Sequence, residues 1–103
     1  MRLMKIETSG DVVRISALQQ LGATNANAFR DWVRKNLSND HKHIEIDLSE
    51  ATFVDSCGLG ALVALHKTVR SRGGTVKLLN PQPSIQQILE LTRLNLVFEV
   101  VKA

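Results

Sequence analysis

HIEIDLSEATFVDSCGLGAL, residues 43–62, carries the pattern on which the fold turns. Its first half alternates apolar Ile44, Ile46 and Leu48 with polar Glu45 and Asp47, the period-two signature of a strand with one face in a core. After a short loop at Glu50, Ala51 and Thr52, a helix is predicted from about Ser56 to Arg70. Leu59, Leu62, Val63, His66 and Val69 line one side of it, and Gly73-Gly74 stops it.

Upstream, RLMKIE and VVRISAL flank the turn signal Ser9-Gly10-Asp11 and predict two short strands in a hairpin. A helix follows, with Thr24 or Asn25 as its N-cap. Phe29, Trp32, Val33 and Leu37 face inward, Arg30, Asp31, Arg34 and Lys35 face outward, and Asn39-Asp40 ends it. Downstream, Thr75 to Leu79 is a strand and NPQP a turn. Pro83 sits in the first turn of a third helix whose Ile85, Ile88, Leu89 and Thr92 point inward, and LVFEVV is the last strand. The order β-β-α-β-α-β-α-β implies an α/β fold, one small domain over residues 1–103, with a mixed central sheet of about five strands and helices packed against it.

Composition agrees with one domain: 103 residues, 44% of them apolar, suffice for a single core. The longest apolar run, Ala61 to Leu65, is far below the roughly 20 residues that cross a bilayer, and MRLMKIETSG has no signal-peptide stretch. A soluble cytoplasmic protein without membrane insertion is expected. Cys57 is the lone cysteine, so packing must supply the stability that a disulfide would otherwise add. The net charge of +3 comes from thirteen basic and ten acidic residues scattered from Arg2 to Lys102, and three Phe, one Trp and no Tyr offer few stacking platforms. Direct nucleic-acid binding is not expected.

The chemistry concentrates at Asp55-Ser56-Cys57-Gly58-Leu59-Gly60. Asp and Ser are preferred N-caps, which accounts for one of the two. Gly58 and Gly60 each weaken a helix by roughly 1 kcal/mol relative to alanine, so something needs a bare backbone: close packing of the first turn, or the approach of another molecule. A dinucleotide fingerprint would need a third glycine where Val63 stands, and no P-loop lysine is present. A thiol enzyme at Cys57 would need a base; His66 lies more than two turns along the inward stripe, read as a satisfied core histidine, and His41 and His43 stand at the far end of the preceding strand. His41-x-His43 offers two ligands where metal sites take three or four, and is read as a solvated start to the strand. Asp47 and Asp55 form no acid-base pair with a cleft signature. The reading that remains is a receptor for charge. A phosphate on an exposed Ser56 would add about −1.5 to −2 charges at the positive end of a helix and would repel a partner pressed onto Gly58-Leu59-Gly60.

HIEIDLSEATFVDSCGLGALVALHKTVRSRGGTVKLLN resembles the defining segment of STAS domains, named for sulfate transporters and anti-sigma factor antagonists, in which a strand ending D-L-S precedes D-S-x-G-L-G. The resemblance implies that Ser56 is the phosphorylation site, with Asp55, Cys57, Gly58, Leu59, Gly60 and the turn residues Thr24 and Asn25 forming the partner surface. It implies no catalytic residue, cofactor or metal. Its partners would be an anti-sigma factor that is also a serine kinase, bound by the unphosphorylated form, and a phosphatase acting on phospho-Ser56. An accessory STAS subunit docking on a transporter or signalling complex without phosphorylation is the alternative. Three departures stand out: Gln19-Gln20-Leu21-Gly22 carries no acid where antagonists commonly have one, Cys57 replaces a frequent second serine or threonine, and Ala103 follows the last predicted strand where relatives often add a helix.

Overall fold

The computed structural model describes residues 4–102. Strands β1 (Lys5–Ser9) and β2 (Val12–Ser16) form the expected hairpin about Gly10-Asp11, pairing Ser9 with Val12 and Lys5 with Ser16. Arg2 and Leu3, the start of the predicted first strand, lie outside the described residues. The chain continues through β3 (Gln20–Leu21), α1 (Ala26–Lys35), β4 (His43–Asp47), β5 (Phe53–Val54), α2 (Ser56–Arg70), β6 (Thr75–Leu79) and α3 (Pro83–Leu91). A short 3-10 helix (Leu94–Leu96) and β7 (Glu99–Val101) complete it.

The main sheet has the order β1-β2-β4-β6-β7, antiparallel at the hairpin and parallel thereafter. Register places Ile6, Ile15, Ile46, Leu78 and Val100 in one row across all five strands. Ile15, Ile46 and Leu78 in that row are fully buried, and Val13, Ile44 and Val76 form the next buried row. Phe29 and Val33 of α1, Leu62, Leu65 and Val69 of α2, and Ile85 and Leu89 of α3 close over this face in a single core. The opposite face carries Glu7, Arg14, Glu45, Lys77 and Glu99 in register, a row of alternating charge. Arg14 and Lys77 both pair with Glu45, at 3.5 and 3.9 Å, and Lys77 reaches Glu99 at 3.5 Å. Parallel sheets are normally covered on both faces. Here the charge ladder keeps the second face wettable, each exposed pair adding little stability of its own.

Several boundaries differ from the sequence reading. The first helix ends at Lys35 with Asn36 as its C-cap, before Asn39-Asp40, because Asn36 Nδ2 donates to the Trp32 carbonyl and the chain turns there. LVFEVV is only half strand: Leu94–Leu96 coils first, and Val97 and Phe98 donate to the Leu94 carbonyl, so β7 begins at Glu99. Thr92 is exposed; it is the C-cap of α3, its hydroxyl donating back to the Ile88 carbonyl at 2.8 Å. Gly73 does stop α2, adopting a left-handed φ of 79° while Gly74 N–H donates to the Val69 carbonyl.

His66 is buried but is not the satisfied histidine expected. Its ring meets Phe98 edge-on at 5.7 Å, and its buried Nδ1 has no hydrogen-bond partner in the protein. Burial, with Arg70 one turn further along α2, pushes its pKa below the ordinary histidine value. His41 and His43 are tied in as well: Ser38 N–H donates to His41 Nδ1, and His43 lies between Thr75 Oγ1 and Asp11.

Candidate partner-binding site at the start of the second helix

Two elements invisible as strands in the sequence build this site. Gln20-Leu21 and Phe53-Val54 pair in parallel as a separate two-stranded sheet, β3 with β5. Each is a residue pair with one side chain in the core, Leu21 or Val54, which is too short for a period-two pattern to register. Thr52 and Asp55 N–H extend the pairing to the carbonyls of Gln19 and Leu21. The result holds the β3–α1 loop beside the start of α2.

Asp55 fastens the two together. One carboxylate oxygen accepts the Gly58 N–H at 3.0 Å, capping α2, and the other accepts the Ala23 N–H at 3.0 Å from the β3–α1 loop. These two bonds, Gly58 first, hold its pKa below the ordinary carboxylate value. Ser56, the first residue of the helix, and Cys57 are both exposed. Leu59 is half-buried and Gly60 exposed.

The open question over the glycines divides between them. A Cβ on Gly58 would lie 2.2 Å from the Leu21 carbonyl oxygen, so this glycine exists for close packing of α2 on β3. Gly58 is buried in the free domain and sets the position of the helix start from within. A Cβ on Gly60 would meet nothing within 4 Å.

Thr24 is exposed on the loop that Asp55 clasps, so it stands with the helix start. Asn25 precedes α1 as its N-cap residue, but its side chain makes no capping bond to that helix. It turns back, accepting the Gly22 N–H at 2.8 Å and donating to the Gln20 carbonyl at 2.9 Å. Ala23 and Phe53 are the neighbours that sequence reasoning missed. Phe53 is 52% exposed beside this loop. An aromatic two residues ahead of D-S, just after the loop read at Glu50, Ala51 and Thr52, was the available signal.

A recess of about 300 Å³ lies over Arg14, Glu45, Lys77, Leu79, Asn80 and Val101 on the open sheet face, and residues 53–60 take no part in it.

A family model for the STAS domain matches residues 4–103. The chain belongs to the STAS domain family. A Thermotoga maritima protein described as an anti-sigma factor antagonist is 31% identical over 91 residues, covering 87% of this chain and 80% of that protein. The crystal structure of such an antagonist from Thermotoga maritima superposes with a TM-score of 0.84 at 27% identity, over 97% of this chain and 86% of that one. The anti-sigma factor antagonist SpoIIAA in its unphosphorylated form gives 0.83 over 97% of this chain and 87% of its own; at 18% identity this is a likeness of fold alone. Among the described residues of this STAS domain, no helix is long and apolar enough to cross a membrane.

The two depressed pKa values give this domain a staged response to acid. A group whose folded pKa is lowered contributes stability that is complete above its unfolded pKa and is lost as pH falls toward the folded value. For His66 the loss starts near pH 6.5, and for Asp55 near pH 4, the unfolded values of about 6.5 and 3.9. The urea midpoint is expected to fall between pH 7 and 5 and again below pH 4. His66→Leu should flatten the first step and Asp55→Asn the second, measured against wild type in the same buffers.

Proposed function

We propose that this STAS domain is a cytoplasmic, phosphorylation-switched anti-sigma factor antagonist that works by binding and not by catalysis. Unphosphorylated, it sequesters an anti-sigma factor that is also a serine kinase. Phosphorylation of Ser56 breaks that complex and a phosphatase restores it. The observation that supports this most is an exposed serine at the first position of α2, beside an Asp55 carboxylate already occupied by two backbone donors. With the Gly58 N–H taken by Asp55, a phosphate on Ser56 has one backbone donor fewer to fold onto. It also stands next to a carboxylate of like charge, and both effects turn it outward, toward a docked partner. The naming of relatives as anti-sigma factor antagonists points the same way.

Incubation with ATP and serine kinases of the anti-sigma type should place one phosphate on Ser56, located by mass spectrometry and absent from Ser56→Ala. Phosphate confined to any other residue would overturn the assignment.

Gly60 offers a second check. Since nothing inside the molecule occupies the space over it, Gly60→Ala should stabilise the free domain by up to about 1 kcal/mol, the ordinary difference in helix propensity. If the anti-sigma factor rests on that bare turn, the same methyl should weaken the complex by about tenfold or more, an overpacking penalty at the interface. Calorimetry of the free domain and titration with the partner read the two effects separately.

A further inference from the structure

We infer that Phe53 is the apolar anchor of the partner surface, its ring entering an apolar recess on the anti-sigma factor that docks over Ser56. The inference rests on the proposed function and adds the residue that supplies affinity.

The ring is exposed by construction. Pairing of Leu21 with Val54 and of Gln20 with Phe53 fixes β5, and because Val54 turns into the core, Phe53 must turn out. Its surroundings hold it there. A Cβ on Gly22 would lie 2.8 Å from Phe53 Cε2 and 2.8 Å from Asp55 Oδ2, so ring edge and capping carboxylate lie against the same bare, buried backbone. Among the described residues, the other large exposed apolar side chains, Leu91, Leu96 and Val97, belong to the end of α3 and the 3-10 segment. Phe53 alone of the four falls within three residues of Ser56, at most about 10 Å along an extended backbone.

A preorganised aromatic in the middle of a polar surface is the kind of residue that carries interface affinity, because it loses little freedom on docking and buries a large apolar area. The partner chemistry follows. The Asp55 carboxylate shares the Gly22 backbone with the ring edge, and Thr24, Ser56 and Cys57 are exposed on the adjoining loop and helix start, so the matching recess is apolar with a polar rim. A ring seated in such a recess also drives water away from Ser56, which makes a dianion there harder to accommodate. Anchor and switch therefore reinforce one another.

The test uses the full chain and an anti-sigma factor of the same organism that retains the unphosphorylated wild type. Phe53→Ala should weaken that complex by at least about thirtyfold while its circular dichroism and thermal midpoint show a folded domain. Should the alanine variant fail to fold, Phe53→Leu decides, with an expected loss of about tenfold. Affinity within twofold of wild type in the folded variant overturns the anchor. Ser56→Asp is titrated alongside. Binding lost there but intact in Phe53→Ala removes the anchor and leaves the switch, whereas binding lost in Phe53→Ala but intact in Ser56→Asp supports the anchor and removes the switch.

Discussion

Gly58→Ala is expected to lower the thermal midpoint of this domain by at least about 8 °C, whereas the same substitution two residues along the same helix raises it. The added methyl at position 58 would lie 2.2 Å from the Leu21 carbonyl oxygen and 2.9 Å from its carbon. Those atoms are backbone in β3, pinned by pairing with β5 and by the Asp55 N–H donating to the same carbonyl, so they cannot swing aside as a flexible side chain would. Overpacking typically costs about 1–3 kcal/mol, and a clash with pinned backbone stands at or above the top of that range, about 3 kcal/mol. Alanine's better helix propensity returns about 1 kcal/mol, leaving a net loss of about 2 kcal/mol or more. In a domain of this length each kilocalorie shifts the midpoint by roughly 4–8 °C. The displaced helix start would also carry Ser56 away from Thr24, so binding should fall with stability. A scanning calorimetry trace in which Gly58→Ala and Gly60→Ala behave alike would remove the packing argument for the first glycine.

This contrast marks where the sequence could be read and where it could not. Ile44, Ile46 and Leu48 alternate over enough residues to declare a strand, and the row of buried isoleucines and leucines across the sheet follows directly from that alternation. The start of α2 was legible because Asp55 and Ser56 have intrinsic capping preference, and Asp55 does cap Gly58. Tertiary proximity had no such local trace. The glycines at 58 and 60 look identical in sequence, yet one faces a carbonyl oxygen and the other open space. The clasp from Asp55 to Ala23 spans 32 positions, and its strands β3 and β5 are two residues each, below the length at which periodicity speaks. His66 fell on the apolar stripe as expected, but whether its ring nitrogen finds a partner depends on what Phe98 brings from the other end of the chain.

Ser56→Asp is expected to weaken binding to the anti-sigma factor by about a hundredfold, while Ser56→Ala stays within about twofold of wild type. Position 56 is exposed and begins α2, so neither substitution should unfold the domain. A carboxylate in a helix's first turn is mildly favourable, by about 0.3–1 kcal/mol, and proximity to Asp55 opposes that gain. Aspartate carries one negative charge where a phosphoserine carries about 1.5 to 2, so phosphorylated chain should bind more weakly still. The origin of the loss can be separated. Charge repulsion between exposed groups shrinks with a Debye length of about 8 Å at physiological salt and about 3 Å at 1 M, whereas the desolvation and bulk of a group trapped under the partner do not. A Ser56→Asp deficit that persists at high salt therefore places the hydroxyl inside the docked surface. A deficit that vanishes with salt places it at the rim. Equal dissociation constants for the alanine and aspartate variants would leave the switch without a physical basis.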